Sequence, residues 1–189
     1  MLVRQSFLYN TGFPCKRCYQ VRSLGYTWGI SGVILLLLFA IYRLAPMALA
    51  LTELSLSALH WAALVFSVFY MAYAEGYKGF HQAFAPRVVS RAHYLKQHPR
   101  ISHVFLAPLF CMGYFHATKR RQLLSYGLTI MIICFVLIAR QLPQPWRGIV
   151  DAGVVVGLCL GVMSILYFVL IARIKADYSL VPAEVPGEA

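Results

Sequence analysis

The stretch that decides the fold is residues 149–172, IVDAGVVVGLCLGVMSILYFVLIA. It holds a single charged side chain, Asp151, three residues from its start. A helix of about 20 apolar residues is long enough to cross the ~30 Å hydrocarbon core of a bilayer. Residues 149–172 therefore predict a transmembrane helix.

The composition of the whole chain points the same way. Of its 189 residues, 60% are hydrophobic and 12% are charged, and the mean hydropathy is +0.69. Soluble domains carry about 25% charged residues, so an ordinary soluble domain is excluded. We expect an all-α, polytopic transmembrane bundle in the cell membrane, which in bacteria is the inner membrane.

Outside its membrane domain, residues 26–172, the chain has two tails and one long polar segment. Residues 1–25 form a predicted cytoplasmic tail, and residues 173–189 form a polar carboxyl-terminal tail. Residues 75–100 carry an aromatic stripe among basic side chains, which predicts an amphipathic segment at the membrane interface with a new helix starting near Pro86. The five predicted spans are 26–45, 54–74, 101–117, 123–139 and 149–172.

Residues 101–117 are the weakest of the five spans because they contain His103, Pro108 and His116. Five spans place 11 Lys and Arg on one side of the membrane and 6 on the other. Four spans, with 101–117 re-entrant or interfacial, place 14 against 3. The basic side faces the cytoplasm, so both topologies put the amino terminus there. We expect five spans, with four as the alternative.

The net charge of +11 indicates contact with anionic lipid headgroups. No compact basic domain remains for nucleic acid, which we do not expect as a partner. Cys15 and Cys18 form a CxxC pair, but a metal site needs further ligands and no second pair of similar spacing follows. We therefore predict no metal centre.

Ionisable side chains within spans are candidates for function because their burial in lipid is costly. Five spans place Glu75 and Asp151 at the same cytoplasmic boundary, whereas four spans place them on opposite faces. The structural alternative for Asp151 is an ion pair with Arg147, one helical turn earlier. The candidate polar site comprises His60, Glu75, Arg91 and Asp151.

The histidines allow a second hypothesis. In the five-span topology His60 and His116 lie toward the same side of the membrane, and facing imidazoles could ligate a haem b iron from both sides. His81 and His103 could form a second such pair. No cofactor is otherwise predicted, and haem b remains the alternative.

The clearest packing pattern is Gly153, Gly157 and Gly161 at four-residue spacing. Small residues at this spacing form a groove that a neighbouring helix can approach closely. A milder pattern, Gly25, Gly29 and Gly32, opens the first span. The sequence leaves open whether the neighbour is the same chain, a second copy in a homo-oligomer, or another membrane protein.

Three functions remain. The favoured one is a small carrier, a channel, or a subunit of a membrane complex. The alternatives are a haem-binding redox protein and a non-catalytic assembly or scaffold protein. Catalytic signatures are lacking, so we do not expect an enzyme.

Overall fold

The computed structural model describes residues 16–97 and 105–174, which form helices and short connections without any strand. A 3₁₀ turn, Ala50–Glu53, follows the first helix. A π-helix, Ala72–Phe84, lies between the second and third helices. The α-helices are α1 (Lys16–Leu49), α2 (Ala58–Met71), α3 (Ala85–Gln97), α4 (Ala107–Met112), α5 (Lys119–Gln141) and α6 (Trp146–Ile174).

Among the residues that the structure describes, three helices are long and apolar enough to cross a membrane. They are Ser23–Glu53, Lys119–Gln141 and Trp146–Ile174. They contain the predicted spans 26–45, 123–139 and 149–172. The prediction of an all-helical chain with membrane-length helices is therefore confirmed, whereas the count of five spans is not.

A fourth long helix, here called the long helix, extends over residues 58–97. It consists of α2, the π-helix and α3, which follow one another without a break. The segment predicted to lie at the interface, 75–100, is instead the continuation of the predicted span 54–74 as far as it is described. The π-helix ends at Phe84 and Pro86 lies in the first turn of α3. Proline is tolerated there, as the sequence analysis expected.

The long helix and α6 run parallel to each other. The rings of His60 and Trp146 lie 5.1 Å apart near their amino-terminal ends. Further along, the Ser67 hydroxyl donates to the Ile149 carbonyl at 3.1 Å. At a later level still, His81 contacts Ser164.

Helix α1 runs antiparallel to this pair. Leu51, just beyond its carboxyl-terminal end, packs where a side chain on Gly148 would lie, near the start of α6. Tyr26, near its amino-terminal end, shares a cavity with Arg173, near the end of α6. The three helices therefore form one bundle with two distinct ends.

The buried core lies at the end of this bundle where α1 begins and α3 and α6 finish. It is apolar and includes Ile30, Val33, Val88, Phe110 and Ile165. Phe110 belongs to α4, which also packs on Gly29 and Gly32 of α1 through Cys111 and Pro108.

Residues 105–117, the described part of the predicted span 101–117, do not form one continuous helix. Helix α4 extends for 6 residues, or about 9 Å, and Gly113 ends it with a left-handed φ of 85°. Residues 114–117 are not helical. A bilayer crossing needs about 20 helical residues, whereas α4 is far shorter and lies against α1.

Helix α5 is packed differently from the other long helices. Its buried residues are Arg121, Ser125 and Ala139, while most of its Leu, Ile and Val side chains are exposed. An apolar surface this continuous is compatible with lipid and costly in water.

Candidate functional site

The groove along α6 is occupied by the long helix of the same chain. Gly153, Gly157 and Gly161 are all buried. A Cβ on Gly153 would lie 2.5 Å from Ser67 Oγ, and one on Gly161 would lie 2.7 Å from the Phe80 ring. These separations are too short for any side chain, so glycine is what lets the two helices approach. The groove is therefore closed within the chain, and no second copy or other protein is needed to fill it.

Glu75 is an acidic residue in the contact between the long helix and α6. A Cβ on Gly157 would lie 3.2 Å from its Oε2 and 3.3 Å from its Cβ. The next residue, Gly76, is buried where a side chain would strike Leu160. Gly157 lies near the middle of α6, so the half-buried Glu75 carboxyl group lies near the mid-depth of a membrane-length helix.

His81 lies further along the same contact. Its Nδ1 is 3.3 Å from Ser164 Oγ, and that hydroxyl donates to the Leu160 carbonyl at 2.8 Å. A hydroxyl has one hydrogen, so Ser164 accepts the hydrogen bond that His81 Nδ1 donates. The imidazole also packs against Tyr167 and Phe168. His81 is thus held in a fixed orientation toward α6.

The outer side of the π-helix is polar and aromatic. Tyr73 and Tyr77 stack along it with ring centroids 6.2 Å apart, and Tyr77 also stacks on His81, 5.8 Å away, at the edge that faces α6. Lys78 is exposed, and its ammonium nitrogen lies 5.0 Å from the centroid of the Tyr73 ring. Gln82 is exposed one turn later. This outer face was missed in the sequence analysis because 75–100 was assigned to the interface.

Asp151 does not join Glu75. It lies near the start of α6, is 4% exposed, and pairs with Arg147 Nε at 3.8 Å. Glu75 lies opposite Gly157, about 9 Å further along α6. The predicted pair of carboxylates is therefore not formed, and the ion pair with Arg147 is present instead.

Arg91 is buried and bonded to backbone carbonyl groups. It is 2% exposed, and its Nε donates to the Phe110 carbonyl at 2.7 Å. Its Nη2 donates to the carbonyls of Phe115 and His116 at 3.2 and 3.1 Å. The guanidinium also lies 4.4 Å from the centroid of the Phe110 ring. Arg91 therefore holds the end of α4 and the segment after it in place through backbone carbonyls.

The structure does not bring His60 and His116 together. His60 lies at the start of the long helix, where its Nδ1 accepts from the Ser57 amide and completes a capping box. His116 is bound through its carbonyl to Arg91, about 40 Å further along that helix. The two imidazoles do not face each other, so they cannot share one haem iron in this structure.

Other predicted ligands lie beyond the residues that the structure describes. These are His103, Cys15 and the side chain of Cys18. Within residues 16–97 and 105–174, His, Cys, Asp and Glu side chains form no cluster of three or more that could hold a metal ion.

A cavity of about 400 Å³ lies at the end of the bundle between α1, α3 and α6. Basic and hydroxyl side chains from all three helices line it, namely Ser23, Tyr26, Thr27, His93, Lys96 and Arg173. This site could not be identified from the sequence, because its residues are far apart in the chain. The only signal was a basic residue in the last turn of α3 and of α6.

Comparison of the chain with protein-family models, curated proteins and solved structures gave no match.

Proposed function

We propose that the protein crosses the cell membrane four times, through α1, the long helix, α5 and α6, with its amino terminus in the cytoplasm. The parallel direction of the long helix and α6 supports this count. Successive crossings alternate in direction, so the second and fourth crossings are parallel, whereas the second and fifth are antiparallel. The same topology gives the larger excess of Lys and Arg on the cytoplasmic side. Residues 105–118 then lie at the cytoplasmic end of the bundle.

Within this topology, we propose that the protein works as a small carrier or channel for protons or cations, alone or as a subunit of a membrane complex. The observation that carries this proposal is Glu75 packed against Gly157, near the middle of α6. A carboxyl group at that depth is expensive and is a functional candidate for that reason. It can bind a proton or a cation, as acidic groups do in carriers and channels.

His81 and Ser164 are the next polar side chains toward the cytoplasm. His81 contacts Ser164 about two turns beyond Gly157, on the face of α6 that Glu75 also contacts. The long helix and α6 pack closely at the glycines of α6, so the bundle leaves little room for a wide pore between its own helices. We therefore expect an oligomer in which the outer face of the π-helix, with Lys78 and Gln82, is shielded from lipid.

The direct test is ion flux in vesicles reconstituted with the purified chain. Glu75→Gln keeps the shape of the side chain and removes its charge, and we expect it to reduce proton or cation flux about tenfold or more. Glu53→Gln is the matched control, because Glu53 is exposed in the 3₁₀ turn beyond α1. Wild-type flux equal to that of protein-free vesicles for H⁺, Na⁺ and K⁺ would overturn the proposal.

A non-catalytic subunit that assembles a membrane complex is the second candidate. The exposed apolar surface of α5 favours it, since a membrane helix with few contacts in its own chain has a whole surface available to another protein. A photo-crosslinking residue at Ile132, which is exposed on α5, tests this candidate. A defined protein adduct supports it, and adducts with lipid alone count against it.

A further inference from the structure

The cavity between α1, α3 and α6 has the chemistry of an anion site. Lys96 and Arg173 supply two positive charges from different helices. The hydroxyl groups of Tyr26 and Ser23 supply neutral donors from the third helix. Its volume of about 400 Å³ falls within the ~300–1,000 Å³ usual for ligand sites.

We propose that this cavity binds the phosphate group of an anionic phospholipid headgroup. The inference goes beyond ion transport and shares with the proposed function only the orientation of the bundle. In that orientation the cavity opens at the cytoplasmic ends of α3 and α6, at headgroup level. Basic cavities between membrane helices on the cytoplasmic side are suited to phosphate headgroups.

The side chains are already arranged around the cavity. The Lys96 ammonium lies 5.9 Å from the centroid of the Tyr26 ring, which holds the charge beside α1. The Thr27 hydroxyl donates to the Ser23 carbonyl at 2.9 Å, so its side chain is fixed against its own helix. His93, three residues before Lys96 and on the same side of α3, completes the lining.

A basic residue in the last turn of a helix also stabilises the helix dipole, whatever ligand is near. Lys96 and Arg173 both occupy such positions. That role explains each residue separately but does not explain why both line one cavity together with hydroxyl groups of a third helix. Their convergence is the observation that points to an anion.

The experiment measures lipid retention by native mass spectrometry of the full chain in detergent, titrated with phosphatidylglycerol or with phosphatidylcholine. We expect the wild type to retain phosphatidylglycerol preferentially. Lys96→Gln with Arg173→Gln should weaken that retention about tenfold or more, whereas Lys96→Arg with Arg173→Lys should keep it.

The matched control is Lys119→Gln with Arg120→Gln. It removes the same charge from exposed positions at the start of α5, on the same side of the membrane. Equal losses in both double variants would show attraction by overall charge and would overturn the site. Equal retention of the two lipids by the wild type would also overturn it.

Inorganic phosphate separates the two sources of the ligand. If millimolar phosphate displaces phosphatidylglycerol from the wild type, the cavity accepts phosphate from solution as well as from lipid, and the phosphate site stands. If the lipid stays bound, the headgroup with its acyl chains is the ligand. Ion flux of the Lys96 and Arg173 variants, measured separately, distinguishes a failure of this site from a failure of the transport proposal.

Discussion

Glu75 lies directly against Gly157: a single methyl group on that glycine would be 3.2 Å from the carboxylate oxygen and 3.3 Å from the Cβ of Glu75. The contact combines two features that the sequence showed separately, an acidic residue after an apolar stretch and a glycine at four-residue spacing. Because these two residues are in contact, an ionisable group lies between the closely packed long helix and α6. Packing and proposed function therefore depend on the same contact.

Gly161→Ala should destabilise the bundle by about 1–3 kcal/mol, because its Cβ would lie 2.7 Å from the Phe80 ring. Gly127→Ala is the control, since a Cβ there has no atom within 4 Å and alanine favours a helix by about 1 kcal/mol. Thermal unfolding in detergent measures both. Equal melting temperatures for the two variants would contradict the packing described along α6.

Arg91→Lys should loosen α4 and the residues after it. A lysine cannot reproduce the planar set of donors that reaches the carbonyls of Phe110, Phe115 and His116. The Phe110 carbonyl keeps the Gly113 amide as a donor, whereas a carbonyl of Phe115 or His116 that is left unsatisfied costs about 1–3 kcal/mol. Cys111, which is 1% exposed, reports the change. In a chain whose other cysteines are replaced, we expect a thiol reagent to modify Cys111 faster in this variant.

Arg120→Lys is the control for that experiment, because Arg120 is exposed on α5. It should leave the labelling rate of Cys111 unchanged. If Cys111 is labelled at the wild-type rate in the Arg91→Lys variant, Arg91 does not hold this segment.

The four-span topology predicts opposite labelling at two exposed positions. In a cysteine-free background, Arg120→Cys should react with an impermeant maleimide only from the cytoplasm, and Gln144→Cys only from outside. Five spans predict the reverse at both positions. The experiment uses intact cells and inverted vesicles, and the five-span pattern would overturn the topology.

Asp151→Asn should have little effect on either stability or flux. Its partner Arg147 lies 3.8 Å away, beyond hydrogen-bond distance, and the Arg147 side chain is 32% exposed, so this i,i+4 pair contributes under about 1 kcal/mol. Unfolding and vesicle flux are measured together with Glu75→Gln. A flux defect in Asp151→Asn as large as that in Glu75→Gln would move the proposed site to the start of α6.

Some of the candidate site could be predicted from the sequence, but its arrangement could not. His60, Glu75 and Asp151 were identified because ionisable side chains are rare in apolar stretches and at their ends. The basic and polar residues after Glu75 predicted a segment at the membrane interface. In the structure they continue along α6, because the long helix fits the glycine groove and residues 72–84 form a π-helix with its own aromatic stack.

The sequence alone determined that this is an all-helical chain with membrane-length helices. It located the last two to within four residues, and its first span, 26–45, lies inside Ser23–Glu53. It could do so because hydropathy is a local property, summed over neighbours in the chain. Only the tertiary structure decided that the long helix is parallel to α6, that α4 lies on α1, and that Arg91 binds three backbone carbonyls. Every chain has such carbonyls and many pairs of apolar helices, so these choices depend on how particular surfaces fit, which residue composition and spacing do not encode.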